Sequence, residues 1–121
     1  MRVKKVKIGF KDVKTALKEF AERAEAIERG EMVKKESVVY FTSFEAFRKV
    51  FTPKRLELLH TIKTRKPSSI NELARMAKRD VKNVADDVKY LEQIGLIEKK
   101  ETNKKIAPVI KYDKIALEIA V

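Results

Sequence analysis

The chain has 121 residues, of which 44% are hydrophobic and 39% charged, with a formal net charge of +11. That length fits one domain with a packed core, and the positive excess attracts polyanions, nucleic acid first. No cysteine is present, no apolar run is long enough to cross a bilayer, and no apolar stretch follows the basic start MRVKKVKIGFKD. Disulfide and thiolate chemistry are thereby excluded, neither a signal peptide nor a membrane partner is expected, and the expected location is cytoplasmic.

Residues 3–8 read as a short strand with Val6 and Ile8 on one face. Asp12 suits a helix N-cap. Val13, Leu17, Phe20, Ala24 and Ile27 then recur at helical spacing until Gly30, which predicts an amphipathic helix over 13–29. A polar link over 31–36 leads to SVVYF, β-branched and aromatic, which predicts a short strand or an extended arm over 37–41, and Ser43 caps a short helix over 44–51. In FTPKRLELL, Thr52 is an N-cap, Pro53 takes the first helical position, and Phe51 and Leu56 stand at the ends of a hydrophobic staple. This helix is expected to bury Leu56, Leu59 and Ile62 and to stop before Pro67.

Ser69 and Glu72 fit a capping box, which starts a two-turn helix with Ile70, Leu73, Ala74 and Ala77 inside. Asp80 caps a third helix over 81–94, with Val84, Val88 and Leu91 on one face, Val81 beside them, and Gly95 at its end. LIEKK, the polar turn ETNK and KIAPVI form a hairpin whose second strand carries Pro108, an edge residue. Ile115, Leu117, Ile119 and Val121 alternate, which predicts a last strand over 115–121.

From residue 52 the order is helix, short capped helix, tight turn, longer helix, glycine and basic hairpin, that of a winged helix-turn-helix. The expected fold class is mainly α with a small β-hairpin (α+β). The expected division is an N-terminal strand–helix extension over 1–42 and a winged helix-turn-helix DNA-binding domain over 43–121. The third helix has the size of a major groove. With its apolar row inward, the opposite face holds Lys82, Asn83, Asp86, Lys89, Tyr90 and Gln93. Lys82, Asn83, Asp86, Lys89 and Tyr90 are the candidate base readers, since lysine suits guanine acceptors and asparagine pairs with adenine.

Asp86 is the difficulty, because phosphates repel a carboxylate. Three roles stay open: accepting from cytosine, orienting Lys82 or Lys89, or facing a protein partner. Asp87, nearer the core edge, is expected to pair with a basic residue of a neighbouring helix. Candidate phosphate contacts are Lys54, Arg55, Ser68, Ser69, Arg75, Lys78 and Arg79, with Lys99, Lys100, Lys104 and Lys105 on the wing. Arg65 and Lys66 add to the same field. Residues 52–66 carry a net charge of +4 while 81–95 carry −1, so affinity would come from around the reading helix.

FTPKRLELL, PSSINELA and RDVKNVADDVKYLEQIGLI resemble a family of archaeal and plasmid-borne predicted transcriptional regulators, winged-helix proteins akin to the MarR and ArsR groups. The resemblance covers about residues 38–112. It implies DNA binding as a regulator and, for some members, an antitoxin role beside a small toxin. ArsR-type metal sites need cysteine or histidine clusters, so metal sensing is not implied for a chain with one histidine, His60, set among leucines. That lone histidine, the absence of a glycine-rich phosphate loop and the scattered carboxylates point away from an enzyme, a cofactor or a metal. Aromatics at 7% leave no stacking surface for RNA.

The expected function is a sequence-specific double-stranded DNA-binding regulator, a dimeric repressor of its own operon. The alternative is an antitoxin or adaptor that holds a toxin partner protein through its N-terminal segment. The apolar faces of the strand at 3–8, the helix at 13–29 and the strand at 115–121 either make a homodimer interface or pad the same subunit's core.

Overall fold

Ten elements follow one another in the computed structural model, which describes residues 4–31 and 38–121. The expectations for Val3, for residues 32–36 of the polar link and for Ser37 lie outside the described residues. The elements fall into two units, Met1–Lys49 with Lys114–Val121, and Val50–Asp113.

In the first unit, β1 (Lys5–Phe10) is the centre of a three-stranded parallel sheet, flanked by β2 (Val38–Phe41) and β5 (Lys114–Leu117). Side chains alternate across a strand, so Val6 and Ile8 share a face with their ladder partners Ile115, Leu117 and Val39. Val6 and Ile8 are buried. Phe10 and Phe41 extend this face into a cluster with Phe44 and Phe47 of α2 (Phe44–Val50), with ring centroids 5.7 to 6.1 Å apart. On the other face Gly9 leaves room for Tyr40, whose ring carbon would lie 3.0 Å from a Cβ at that position. Helix α1 (Val13–Glu28) joins β1 to β2 and starts where Asp12 accepts from the Thr15 amide at 2.6 Å. Those hydrogen bonds hold the Asp12 carboxyl below its ordinary pKa.

Two expectations change here. The division falls between residues 49 and 50 and not at 42/43, because the aromatic cluster ties α2 to the sheet and β5 returns to pair with β1. The last strand stops at Leu117, and Ile119 and Val121 beyond it are exposed.

The second unit is a winged helix-turn-helix: α3 (Pro53–Arg65), α4 (Ile70–Ala77), α5 (Val81–Gln93) and a hairpin of β3 (Glu98–Thr102) and β4 (Lys105–Val109). Its helix starts follow from local chemistry. Thr52 accepts from the Arg55 amide, Ser69 from the Glu72 amide, and Asp80 from the Lys82 and Asn83 amides. The Glu72 carboxylate reaches one residue further back than a capping box requires, taking the Ser68 amide at 3.3 Å and hydroxyl at 2.9 Å. At the end of α5, Leu96 donates to Leu91 and Gly95 to Glu92, a Schellman stop with Gly95 at φ +89°. The hairpin turns on Asn103 and Lys104, both left-handed at φ 48° and 66°, as a two-residue type I′ loop requires.

Inside lie Leu58, Leu59, Ile62, Leu73, Ala74, Val84, Val88, Leu91, Leu96 and Ile97. Leu56, expected among them, is 46% exposed: the buried arc of α3 runs through Arg55, Leu58, Leu59 and Ile62, and Leu56 falls beyond its edge. Val81 is likewise exposed.

The polar centre of the unit is Asp87, whose side chain is 16% exposed. It accepts from Arg55 Nε at 3.0 Å and from Arg79 Nη2 at 2.8 Å. Burial pushes its carboxyl upward, but the hydrogen bonds from Arg79 and Arg55 outweigh that and hold it below the ordinary aspartate value. A depressed carboxylate stabilises the fold above its unfolded pKa, and that contribution is lost as pH falls through the folded value. Replacing Asp87 by Asn should therefore cost about 2–3 kcal/mol in urea denaturation at neutral pH, since two half-buried guanidiniums lose their counter-charge. The difference from wild type should shrink as pH drops below the ordinary carboxylate range.

Candidate nucleic-acid interface

Helix α5 is built with one wet face. Val84, Val88 and Leu91 are buried, while Lys82, Asn83, Asp86, Lys89, Tyr90 and Gln93 are exposed. Asp80 caps the N-terminal turn from which Lys82 and Asn83 project. Asp86 forms no ion pair with Lys82 or Lys89, so that orienting role is not realised in this conformation. Its neighbour Asp87, one residue and about 100° further round the helix, makes the ion pairs instead. Tyr90 is 40% exposed and is held from behind by the Arg55 guanidinium, 4.6 Å from its ring centroid.

The phosphate candidates separate into four groups. Lys54, Arg75, Lys78, Lys100, Lys104 and Lys105 are exposed. Lys105 lies close enough to Glu72 to lower its pKa, after the larger effect of the Ser68 hydrogen bonds. Lys99 reaches back to Glu92 at 3.3 Å, fastening the wing to α5. Arg55 and Arg79 are not free cations: both are turned onto Asp87, and Arg55 also donates to the Val50 carbonyl at 3.1 Å. Their residue type suited a phosphate, but the half-buried carboxylate beside them claims the charge. Ser68 and Ser69 are likewise engaged with Glu72 through their hydroxyls.

A cleft of about 440 Å³ gathers Lys66, Ser68, Lys100 and Thr102 with Lys63, bringing the corner after α3 against the wing. Lys63 is paired with Asp113 at 3.2 Å. Among the described residues no group of histidine, aspartate and glutamate is placed to hold a metal, and no helix is long and apolar enough to cross a membrane.

The chain matches the HVO_A0114 family over residues 50–117. The chain belongs to the HVO_A0114 family. The matched stretch takes in the whole winged unit and β5. No curated protein matches the chain. A similar solved structure is the crystal structure of the predicted DNA-binding transcriptional regulator from E. coli, 21% identical, with 82% of this chain and 84% of that one covered and a TM-score of 0.49.

One anchor of this HVO_A0114-family wing had no visible mark in the sequence. The Tyr112 hydroxyl donates to the Leu96 carbonyl at 2.9 Å, joining the segment after β4 to the exit of α5. Burial pushes its phenol up to about 12. Near-ultraviolet absorbance should therefore show a tyrosine ionisation step at about pH 12, above the ordinary phenol range. Tyr112→Phe should remove that late step and cost about 1 kcal/mol in denaturant unfolding.

Proposed function

We propose that this HVO_A0114-family chain is a sequence-specific double-stranded DNA-binding transcriptional regulator that acts as a dimeric repressor of its own operon. The observation that carries the reading is the outer face of α5. The side chains of Lys82, Asn83 and Asp86 stand exposed and without a partner among the described residues on its N-terminal half, ringed by the exposed cations Lys54, Arg75, Lys78, Lys100, Lys104 and Lys105. In a helix-turn-helix the N-terminal residues of the second helix meet base edges, and the surrounding cations meet phosphates. The helix is electronegative overall while its surroundings are basic, so it suits selection and they suit affinity. In this reading Arg55 and Arg79 hold the frame and do not touch the ligand, and nothing in the interface performs catalysis.

An antitoxin reading has one observation in its favour, an exposed apolar stripe on α1 that a toxin could cover. In that case the chain purified alone would be a monomer.

Footprinting of genomic fragments with the purified chain tests the first reading, which expects a protected site with two half-sites. Asn83→Ala should narrow the gap between the best site and its single-base variants by about 1–3 kcal/mol at one position. Lys104→Ala combined with Lys105→Ala should weaken all sequences alike and reduce the slope of log affinity against log salt by about 2. If neither variant changes binding in anisotropy titrations, the docking is wrong. Asp86→Ala should raise affinity for random duplex, and should flatten sequence preference only if the carboxylate accepts from a cytosine.

A further inference from the structure

Helix α1 is amphipathic in sequence yet has no buried residue. Val13, Leu17, Phe20 and Ile27 are 60%, 64%, 73% and 63% exposed, and Ala24 completes their row. The steps between these five positions are four, three, four and three residues. That is a heptad seam, narrower than the face a helix lays on a globular core. We propose that this seam packs in parallel against the same seam of a second copy, as a short two-stranded coiled coil. The proposal rests on the dimeric part of the proposed function and supplies its interface.

Three observations select this occupant. The first is the spacing, which suits a helix as partner because only a 3.5-residue repeat keeps one stripe facing another helix. The second is charge. A parallel pair sets each Arg23 beside the Glu28 of the second copy, two attractive contacts, whereas an antiparallel pair brings the two Arg23 guanidiniums together. The third is width and area. Lys14, Ala16 and Ala21 line the rest of the flanks, so the stripe lacks the apolar bulk to serve a third helix. The apolar side chains of two stripes expose roughly 1,000 Å² together, the lower end of a specific interface. Contacts among the described residues do not compete for the seam: the half-buried residues of α1 are Glu19 and Ala26, on its far side, and Glu19 pairs with Lys11.

The chain has no cysteine, so Leu17→Cys introduces a single thiol. In the parallel seam Leu17 faces its own copy, and mild oxidation of the full chain should give a species of twice the 14.0 kDa chain mass. Absence of that cross-link overturns the parallel seam. Light scattering should find the wild type dimeric and the Leu17→Glu, Phe20→Glu double variant monomeric with its circular dichroism retained. A dimer that survives the double variant overturns the seam but leaves the dimeric reading standing. A wild type that is monomeric at all concentrations, or tetrameric, overturns both. Arg23→Glu should weaken the dimer about tenfold, and adding Glu28→Arg should restore it.

Discussion

A carboxylate held between two guanidiniums ties the winged unit together. Asp87 sits on α5, Arg55 comes from the first turn of α3, and Arg79 from the corner between α4 and α5, so one charge cluster fixes three segments. A carboxylate this sheltered is tolerable only while both partners stay. The same Arg55 backs the Tyr90 ring and closes on the Val50 carbonyl, so the rotation of α5 about its axis is set from beneath. Which residues stand outward on that helix, Asp86 included, follows from where Asp87 is pinned.

The division of charge follows from this arrangement. Two of the strongest cations near α5 are used internally, and a third contact, Lys99 to Glu92, is used to seat the wing. What remains for a polyanion is a set of lysines with Arg65 and Arg75, spread over α3, α4, their corners and the hairpin. A helix of slightly negative net charge lies among them. The positive field therefore belongs to the unit as a whole and not to the helix.

Local chemistry was the readable part of the sequence. The caps at Asp12, Thr52, Ser69 and Asp80, the glycine stop at 95 and the inner row of α5 each depend on residues within a turn or two, and each is found where the spacing puts it. The need of Asp87 for a basic partner was readable too, from its place at the core edge. Which partner it takes was not, because an arginine reads the same in sequence whether it ends in water, on a phosphate or on a buried acid. Pairing of β5 with β1 was unreadable for a related reason: parallel strands more than a hundred residues apart leave no turn to announce them. The wrong side chosen for Leu56 shows the finer limit, since a helix with leucines at 56, 58 and 59 offers more than one arc, and packing decides between them.

Four non-glycine residues among those described take left-handed backbone, and three are lysines: Lys66 ending α3, Lys78 ending α4 and Lys104 in the wing turn. Glycine would be more at ease in each place. A chain optimised only to persist would have glycine at these corners, and it would have fewer fixed charges where the backbone bends most sharply. Robustness and field strength thus compete for the same three positions, and in this molecule field strength occupies them.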